Sequence, residues 1–180
     1  MKLETLELLQ RLQKKFGIRG FPSGPFGKIV QKLLALSFYE VGATNIVERG
    51  VQGVDIDITL ESNKKYALEV KTTEKVTFSL TPDNVQALHE RIHDGYQPVI
   101  AVLRLAPFEN WVFAKIPINE VSTGMILIDT LIPYKMKKLE SELKPKFDVV
   151  VQKHFKDVWN KGEKYLIEEL KISGAKIFYD

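Results

Sequence analysis

The chain has 180 residues, 44% of them hydrophobic and 27% charged, which suits one folded domain, and its net charge of +3 is too small to indicate nucleic acid by itself. It has no cysteine, so disulfides and thiolate metal sites are excluded. The N-terminus lacks a signal-peptide pattern and no apolar run approaches the ~18 residues that span a membrane, so we expect a cytoplasmic protein without a membrane partner.

Helical periodicity and helix-start signals occur along the whole chain. They predict helices at 2–16, 27–41, 82–94, 135–143, 149–160 and 163–170. The segment 17–25 is interrupted repeatedly by Gly and Pro, which predicts a loop. The third helix has Thr81 as its N-cap and Pro82 at its first position.

Strand-like segments alternate with these helices. They are predicted at 45–49, 54–60, 65–72, 97–105, 111–116, 126–132 and 175–179. Apolar and polar residues alternate cleanly in 54–60, and a short polar turn separates this strand from 65–72, so the two should form an antiparallel hairpin. The order of elements indicates a mixed sheet flanked by helices.

Two carboxylates and a lysine are predicted to meet on this hairpin. Glu69 and Lys71 are two positions apart on one strand, so their side chains share a face that Asp55 can join. Two adjacent carboxylates repel each other unless a cation lies between them, and Mg²⁺ prefers oxygen ligands. The backbone carbonyl of Val70 is a further candidate ligand. Asp57 shares the face of Asp55, either as a helper or as a structural carboxylate, and the alternative for the whole group is a charged outer face.

The segments that carry these residues resemble a known nuclease signature. They read Gly53-Val54-Asp55-Ile56-Asp57 and Ala67-Leu68-Glu69-Val70-Lys71 and are similar to the PD-(D/E)xK motif. They most resemble the archaeal Holliday-junction resolvases, which also carry a helix glycine followed four residues later by a glutamate. Gly27 and Gln31 stand at those positions here, and the resemblance extends over residues 27–116. It implies an α/β restriction-endonuclease-like core with a central mixed sheet of four or five strands flanked by helices.

The resemblance also implies a function. It suggests a DNA endonuclease, acting on duplex or branched DNA, that hydrolyses phosphodiester bonds with Mg²⁺ or Mn²⁺. Asp55 and Glu69 would bind the metal together with the Val70 carbonyl, and Lys71 and Gln31 would complete the catalytic set. Gln31 replaces the glutamate of the resolvases, and the loop at 48–53 lacks their serine. A restriction- or homing-type endonuclease and a catalytically weak DNA-binding module therefore stay open as alternatives.

A competing motif lies in the third predicted helix. His89, Glu90 and His93 match H-E-x-x-H, in which two histidines on one helix face bind zinc and the glutamate acts as base. A zinc protease would need Glu109 or Glu120 as its third ligand. The alternative is a surface helix with two ordinary histidines.

We expect three segments: an N-terminal helix and loop at 1–20, the nuclease core at 21–117 and a helical C-terminal extension at 118–180 packed on the core. Two coordinated cuts in duplex DNA need two sites, which predicts a homodimer. The tail from Tyr134 to Asp180 has apolar positions that a small core need not cover, and they make it the candidate interface: Phe147, Val150, Val151, Phe155, Val158 and Trp159. Its lysines could instead extend a DNA groove.

Overall fold

The computed structural model describes residues 1–17, 24–49, 53–105 and 111–178. Its helices are α1 (Leu3–Phe16), α2 (Pro25–Tyr39), α3 (Pro82–His93), α4 (Lys137–Lys161) and α5 (Glu163–Ile172). Its strands are β1 (Ala43–Arg49), β2 (Ile56–Leu60), β3 (Lys65–Thr73), β4 (Thr77–Leu80), β5 (Gln97–Arg104), β6 (Trp111–Ala114), β7 (Gly124–Leu127) and β8 (Lys176–Phe178). Short 3-10 helices span Ile118–Glu120 and Ile128–Tyr134.

A six-stranded mixed sheet in the order β6-β5-β3-β2-β1-β8 forms the centre of the fold. Strands β1, β2 and β3 pair antiparallel, β3 pairs parallel with β5, and β5 pairs antiparallel with β6. The predicted α/β architecture and the predicted β2–β3 hairpin are confirmed. The sheet has one strand more than the largest expected number because β8, from the C-terminal segment, pairs parallel with β1.

Side chains of alternate strand residues point to opposite sides of the sheet, so each side has its own apolar surface. Ile56, Ile58 and Leu68 face a large core shared with α1, α2, α4 and α5. Ala67 and Val102 face a smaller core beneath α3 and the two-stranded β4–β7 ribbon. The sheet is therefore covered on both sides, and charged groups between its layers have restricted access to water.

Helix α2 lies between the sheet and α4 and α5, and its residues 29–38 are all buried. A helix enclosed on all sides must be apolar almost all round, as the sequence of α2 is. Its buried exceptions are Gln31, Lys32 and Ser37. Lys32 is 2.5 Å from Glu48 of β1 and 2.9 Å from Glu163 of α5. Its positive charge is therefore paired, and the two ion pairs connect α5, in the C-terminal segment, to the sheet.

Two sequence predictions in the second half of the chain are wrong, and one strand in the first half was not predicted. The segments 135–143 and 149–160 form one helix, α4, that continues through Pro145. Proline removes one helical hydrogen bond, but apolar residues on both sides of it, such as Leu143 and Phe147, pack into the same core and offset that loss. The strand expected at 126–132 is instead β7 followed by a 3-10 helix, and its partner β4 was not predicted.

The apolar residues of the extension are not a free surface. Phe147, Val150, Val151 and Val158 are at most 2% exposed, because they pack in the large core of their own chain. Phe155 and Trp159 are partly buried, and the guanidinium of Arg11 lies over both rings. The expectation that these positions form a dimer interface is wrong for the four buried residues. Helices α1, α2 and α5 all pack against α4 and cover its apolar side.

None of the described helices is long and apolar enough to cross a membrane.

Candidate active site

The β2–β3 hairpin brings Asp55 next to Glu69. Ile56 pairs with Leu68, so Asp55, one residue before β2, lies across from Glu69, one residue further along β3. A carboxylate oxygen of Asp55 accepts a hydrogen bond from the backbone N–H of Val70 at 2.8 Å. Pairing with β2 has ended at this point, so the side chain of Asp55 takes the place of a backbone acceptor and is fixed against β3.

Glu69 and Lys71 project from the same face of β3, as their spacing predicts. Their side chains form an ion pair at 2.7 Å, with Glu69 only 3% exposed and Lys71 26% exposed. Strand β3 lies between β2 and β5, which explains the burial of Glu69. The lysine ammonium also donates to the side-chain oxygen of Asn84 in the first turn of α3, at 3.2 Å.

Helix α2 contributes Gln31 and Lys28 from the other side of Asp55. The Gln31 amide donates to the backbone carbonyl of Asp55 at 3.1 Å, and its oxygen accepts from the Lys28 ammonium at 3.2 Å. The same ammonium is 3.8 Å from the Asp55 carboxylate. Gln31 thus holds the backbone that carries Asp55 and does not contact either carboxylate in this arrangement.

Burial dominates the electrostatics of the acidic pair. It raises the pKa of Glu69 to about 7, with the neighbouring charge of Asp55 adding to the shift and Lys71 opposing it. Burial also raises the pKa of Asp55, against the stabilising effects of the Val70 N–H and Lys28. Burial and mutual repulsion both disfavour the ionised forms of the two acids, and a bound cation would stabilise those forms.

The donor set suits a hard divalent metal. Asp55 and Glu69 supply carboxylate oxygens, and the Val70 carbonyl points to the same strand edge as the Val70 N–H, toward Asp55. Mg²⁺ commonly binds through one or two carboxylates and completes its coordination with water and substrate phosphate. In the described parts of the chain no cluster of three or more Asp, Glu or His side chains could hold a metal, so water and substrate would have to supply the other ligands.

Asp57 and the H-E-x-x-H motif lie outside this site. Asp57 is fully buried and paired with Arg49 and Arg91, which makes it a structural carboxylate. His89 and His93 lie on the exposed side of α3 with ring centroids 6.4 Å apart. Of the possible third zinc ligands, Glu120 accepts a hydrogen bond from Tyr134, and residue 109 lies outside the described residues.

Lys28 and Asn84 were missed at the level of sequence. Lys28 lies one helical turn before Gln31, and that i, i+3 relation was a usable signal once Gln31 had been singled out. Asn84 lies in the first turn of the helix whose start the sequence places at Thr81, but its side chain was not singled out. Its contact with Lys71 depends on where α3 packs against the sheet, and no local pattern encodes that.

The arrangement of the sheet and its helices defines a class of fold: an α/β restriction-endonuclease-like core. A comparison of structures agrees. The Holliday junction resolvase Hjc of Archaeoglobus fulgidus superposes with a TM-score of 0.50 and 17% sequence identity, over 64% of this chain and 95% of the resolvase. The predicted resemblance is thereby confirmed at the level of the fold.

Comparisons of the sequence with known proteins found no relative. The chain matches no protein-family model and no curated protein.

Proposed function

We propose that the protein is a divalent-metal-dependent DNA endonuclease, and that residues 21–117 carry its catalytic machinery. The observation that carries the proposal is the convergence of Asp55, Glu69 and Lys71 at the end of one hairpin, with Glu69 buried, Asp55 partly buried and the pKa of Glu69 raised to about 7. A charged outer face of an ordinary hairpin would leave these side chains in water, where no such pKa shift arises.

Each residue has a chemical role in this proposal. Asp55 and Glu69 hold the metal together with the Val70 carbonyl. Bound Mg²⁺ or Mn²⁺ polarises the phosphodiester and lowers the pKa of attacking water. Lys71, fixed beside Glu69, orients the nucleophile and stabilises negative charge that develops on the phosphate. Gln31 holds the backbone of Asp55 in position.

Lys28 would contact the substrate. Its ammonium is partly exposed, with 37% of the side chain accessible, and it reaches over Asp55 from the first turns of α2. A cation at the rim of an acidic site offsets the repulsion between the carboxylates and an incoming phosphate. Lys28 therefore has the position of a phosphate-contacting residue.

The substrate that we favour is branched DNA, since the resolvase with a similar fold is named for the Holliday junction. A restriction- or homing-type endonuclease that acts on linear duplex is the alternative within the same chemistry. The test is a cleavage panel of four-way junction, linear duplex, single strand and RNA with Mg²⁺ or Mn²⁺. The Asp55→Ala variant serves as the blank for contaminating nucleases. Metal-dependent cleavage that this variant lacks supports the proposal, and no cleavage of any substrate overturns it.

A catalytically weak DNA-binding module is the second candidate, and Gln31 is the observation that favours it. Its amide provides no negative charge where the resolvases have a glutamate. DNA binding at normal affinity without cleavage in the same panel would support this alternative.

We propose a homodimer as the form that makes paired cuts. Its interface cannot be the apolar side of α4, which is buried within the chain. Light scattering with and without a four-way junction tests this proposal. A monomer under both conditions contradicts it and predicts nicking of a single strand.

A further inference from the structure

The ammonium of Lys71 has two partners, and only one of them belongs to the acidic pair. It is 2.7 Å from a carboxylate oxygen of Glu69 and 3.2 Å from the side-chain oxygen of Asn84. A lysine side chain has several rotatable bonds and loses about 2 kcal/mol of conformational entropy when it is fixed. With Glu69 as its single partner, the ammonium could take several positions around that carboxylate. A second partner on α3, Asn84, restricts it to one position.

Asn84 is itself held rigidly at the N-terminus of α3. Its side-chain oxygen accepts from the backbone N–H of Thr81 at 3.0 Å, and its own backbone N–H donates to the Thr81 hydroxyl at 3.2 Å. Both groups that face this oxygen, the Thr81 N–H and the Lys71 ammonium, are donors. The atom between them must therefore be the amide oxygen, since the NH₂ group cannot accept a hydrogen bond.

The residue type at this position is informative. A capping box usually has Glu or Gln at the third helical position. A glutamate here would place a third carboxylate beside Glu69 and Asp55 and compete for Lys71. Asparagine keeps both capping hydrogen bonds and presents a neutral acceptor to the lysine. Asn84 therefore caps α3 and also contacts Lys71 without adding charge to the site.

We propose that Asn84 is a positioning residue that fixes the ammonium of Lys71 for catalysis and connects it to the N-terminus of α3. The inference rests on the proposed nuclease function. Asn84 acts through Lys71, so its removal should lower turnover without affecting binding of metal or DNA. The chain offers a matched control, because Thr81→Ala damages the same cap but leaves the contact between Asn84 and Lys71 in place.

The first test does not depend on activity. The side-chain ammonium of Lys71 is followed by ¹⁵N NMR in the parent, Asn84→Ala and Thr81→Ala proteins. We expect its order parameter to fall in Asn84→Ala and to stay at the parental value in Thr81→Ala. Equal mobility of this ammonium in the parent and Asn84→Ala proteins would overturn the proposal. This measurement remains decisive even if the protein cleaves no nucleic acid, in which case the proposed function fails separately.

The second test is a double-mutant cycle in the cleavage assay. Asn84→Ala should lower kcat about 3- to 10-fold with KM nearly unchanged, the net effect of one ordinary hydrogen bond, because Lys71 keeps its ion pair with Glu69. In a Lys71→Ala background the same substitution should have no further effect on kcat. Asn84→Asp, which keeps an acceptor oxygen, should restore the order of the ammonium. An equal loss of kcat in both backgrounds, or an equal loss in Thr81→Ala, would show that Asn84 only caps the helix.

Discussion

The acidic residues of the β2–β3 hairpin fall into two groups, Asp57 alone and Asp55 with Glu69. The two groups differ in the positively charged partners that contact them. Asp57 is fully buried, and both of its oxygens accept hydrogen bonds from guanidinium groups, at 2.7–3.0 Å, supplied by Arg49 and Arg91. Asp55 and Glu69 share one ammonium in close contact, that of Lys71, and a second at 3.8 Å, that of Lys28. Asp57 therefore has two cations in direct contact with one carboxylate, whereas the two carboxylates of the candidate site have only one cation in direct contact between them.

The difference separates a structural charge from a functional one. A buried ion pair with complete hydrogen bonding offsets its own desolvation, and removal of one partner exposes that cost. An acidic pair that burial keeps from water, with one ammonium in direct contact, destabilises the fold in its ionised form unless a further cation binds to it. Raised pKa values at such a place are typical of catalytic and metal-binding sites. The comparison therefore predicts opposite responses to substitution in the two groups.

The largest effect expected is loss of cleavage when either acid of the candidate site is removed. Asp55→Ala or Glu69→Ala should lower metal-dependent cleavage by at least about 10³-fold, because each removes a charged ligand of the metal that activates the reaction. Circular dichroism should show an intact fold. Glu61→Ala, in the exposed hairpin turn, is the control and should keep the parental rate. Parental activity in either site variant removes the nuclease proposal.

The second-largest effect on cleavage is expected from Lys71→Ala. Turnover should fall by about 10²–10⁴-fold, the range for a positioned acid–base or electrostatic group. Binding of Mn²⁺, measured by calorimetry, should survive since the carboxylates are untouched. Lys75→Ala, an exposed lysine just beyond β3, provides the control. If Lys71→Ala keeps the full rate, the lysine is only surface charge and the candidate site resembles the Asp57 group more than we propose.

Asp57→Asn should lower the free energy of unfolding and leave the rate of cleavage unchanged. The substitution leaves two guanidinium groups without their carboxylate, at a cost of about 2–4 kcal/mol in the free energy of unfolding. Urea denaturation of this variant and of the exposed-site control Asp129→Asn measures the difference. An equal midpoint in the two variants would mean that Asp57 is not a structural anchor.

The sequence predicted the centre of the site because that part depends on local rules. Alternation in β2, the turn before β3 and the two-residue spacing of Glu69 and Lys71 place the acids and the lysine without knowledge of the rest of the fold. The contacts of Lys28 and Asn84 depend on the packing of α2 and α3 against the sheet. The same holds for Asp57, whose structural role rests on Arg91 in a distant helix.

The errors in the predicted strands and helices have a similar origin. Strand β4 is four residues long, and its pairing with β7 joins segments that are far apart in sequence. The continuity of α4 through Pro145 is decided by the core that both of its halves share, whereas the local preference of proline favours a break.

Replacement of Glu69 by glutamine should stabilise the metal-free protein at neutral pH and above. The pKa of Glu69 rises from 4.5 to about 7 on folding, so the folded state binds more protons than the unfolded state between these values. Stability of the parent should therefore fall as pH rises through that window. Glu69→Gln removes this loss and should be more stable at pH 8 by roughly 1–3 kcal/mol.

Melting temperatures in the presence of a chelator, from about pH 4 to pH 8, test the sign of the effect. The variant should show a flatter profile than the parent, with the gap widest at the alkaline end. A parent whose stability rises across this window would contradict the proposed electrostatics of the acidic pair.

The smallest effect is expected at Gln31, which touches both the backbone of Asp55 and the ammonium of Lys28. Gln31→Glu adds a negative charge near the acidic pair and should tighten Mn²⁺ binding a few-fold. Gln31→Leu loses both hydrogen bonds, leaves the Asp55 carbonyl without this donor and should weaken binding to a similar extent. Calorimetric titration of both variants decides the question, with Gln152→Glu on the exposed side of α4 as a control for added charge. If both Gln31 variants bind Mn²⁺ like the parent, Gln31 serves the fold as Asp57 does, and the candidate site is limited to the hairpin and its cations.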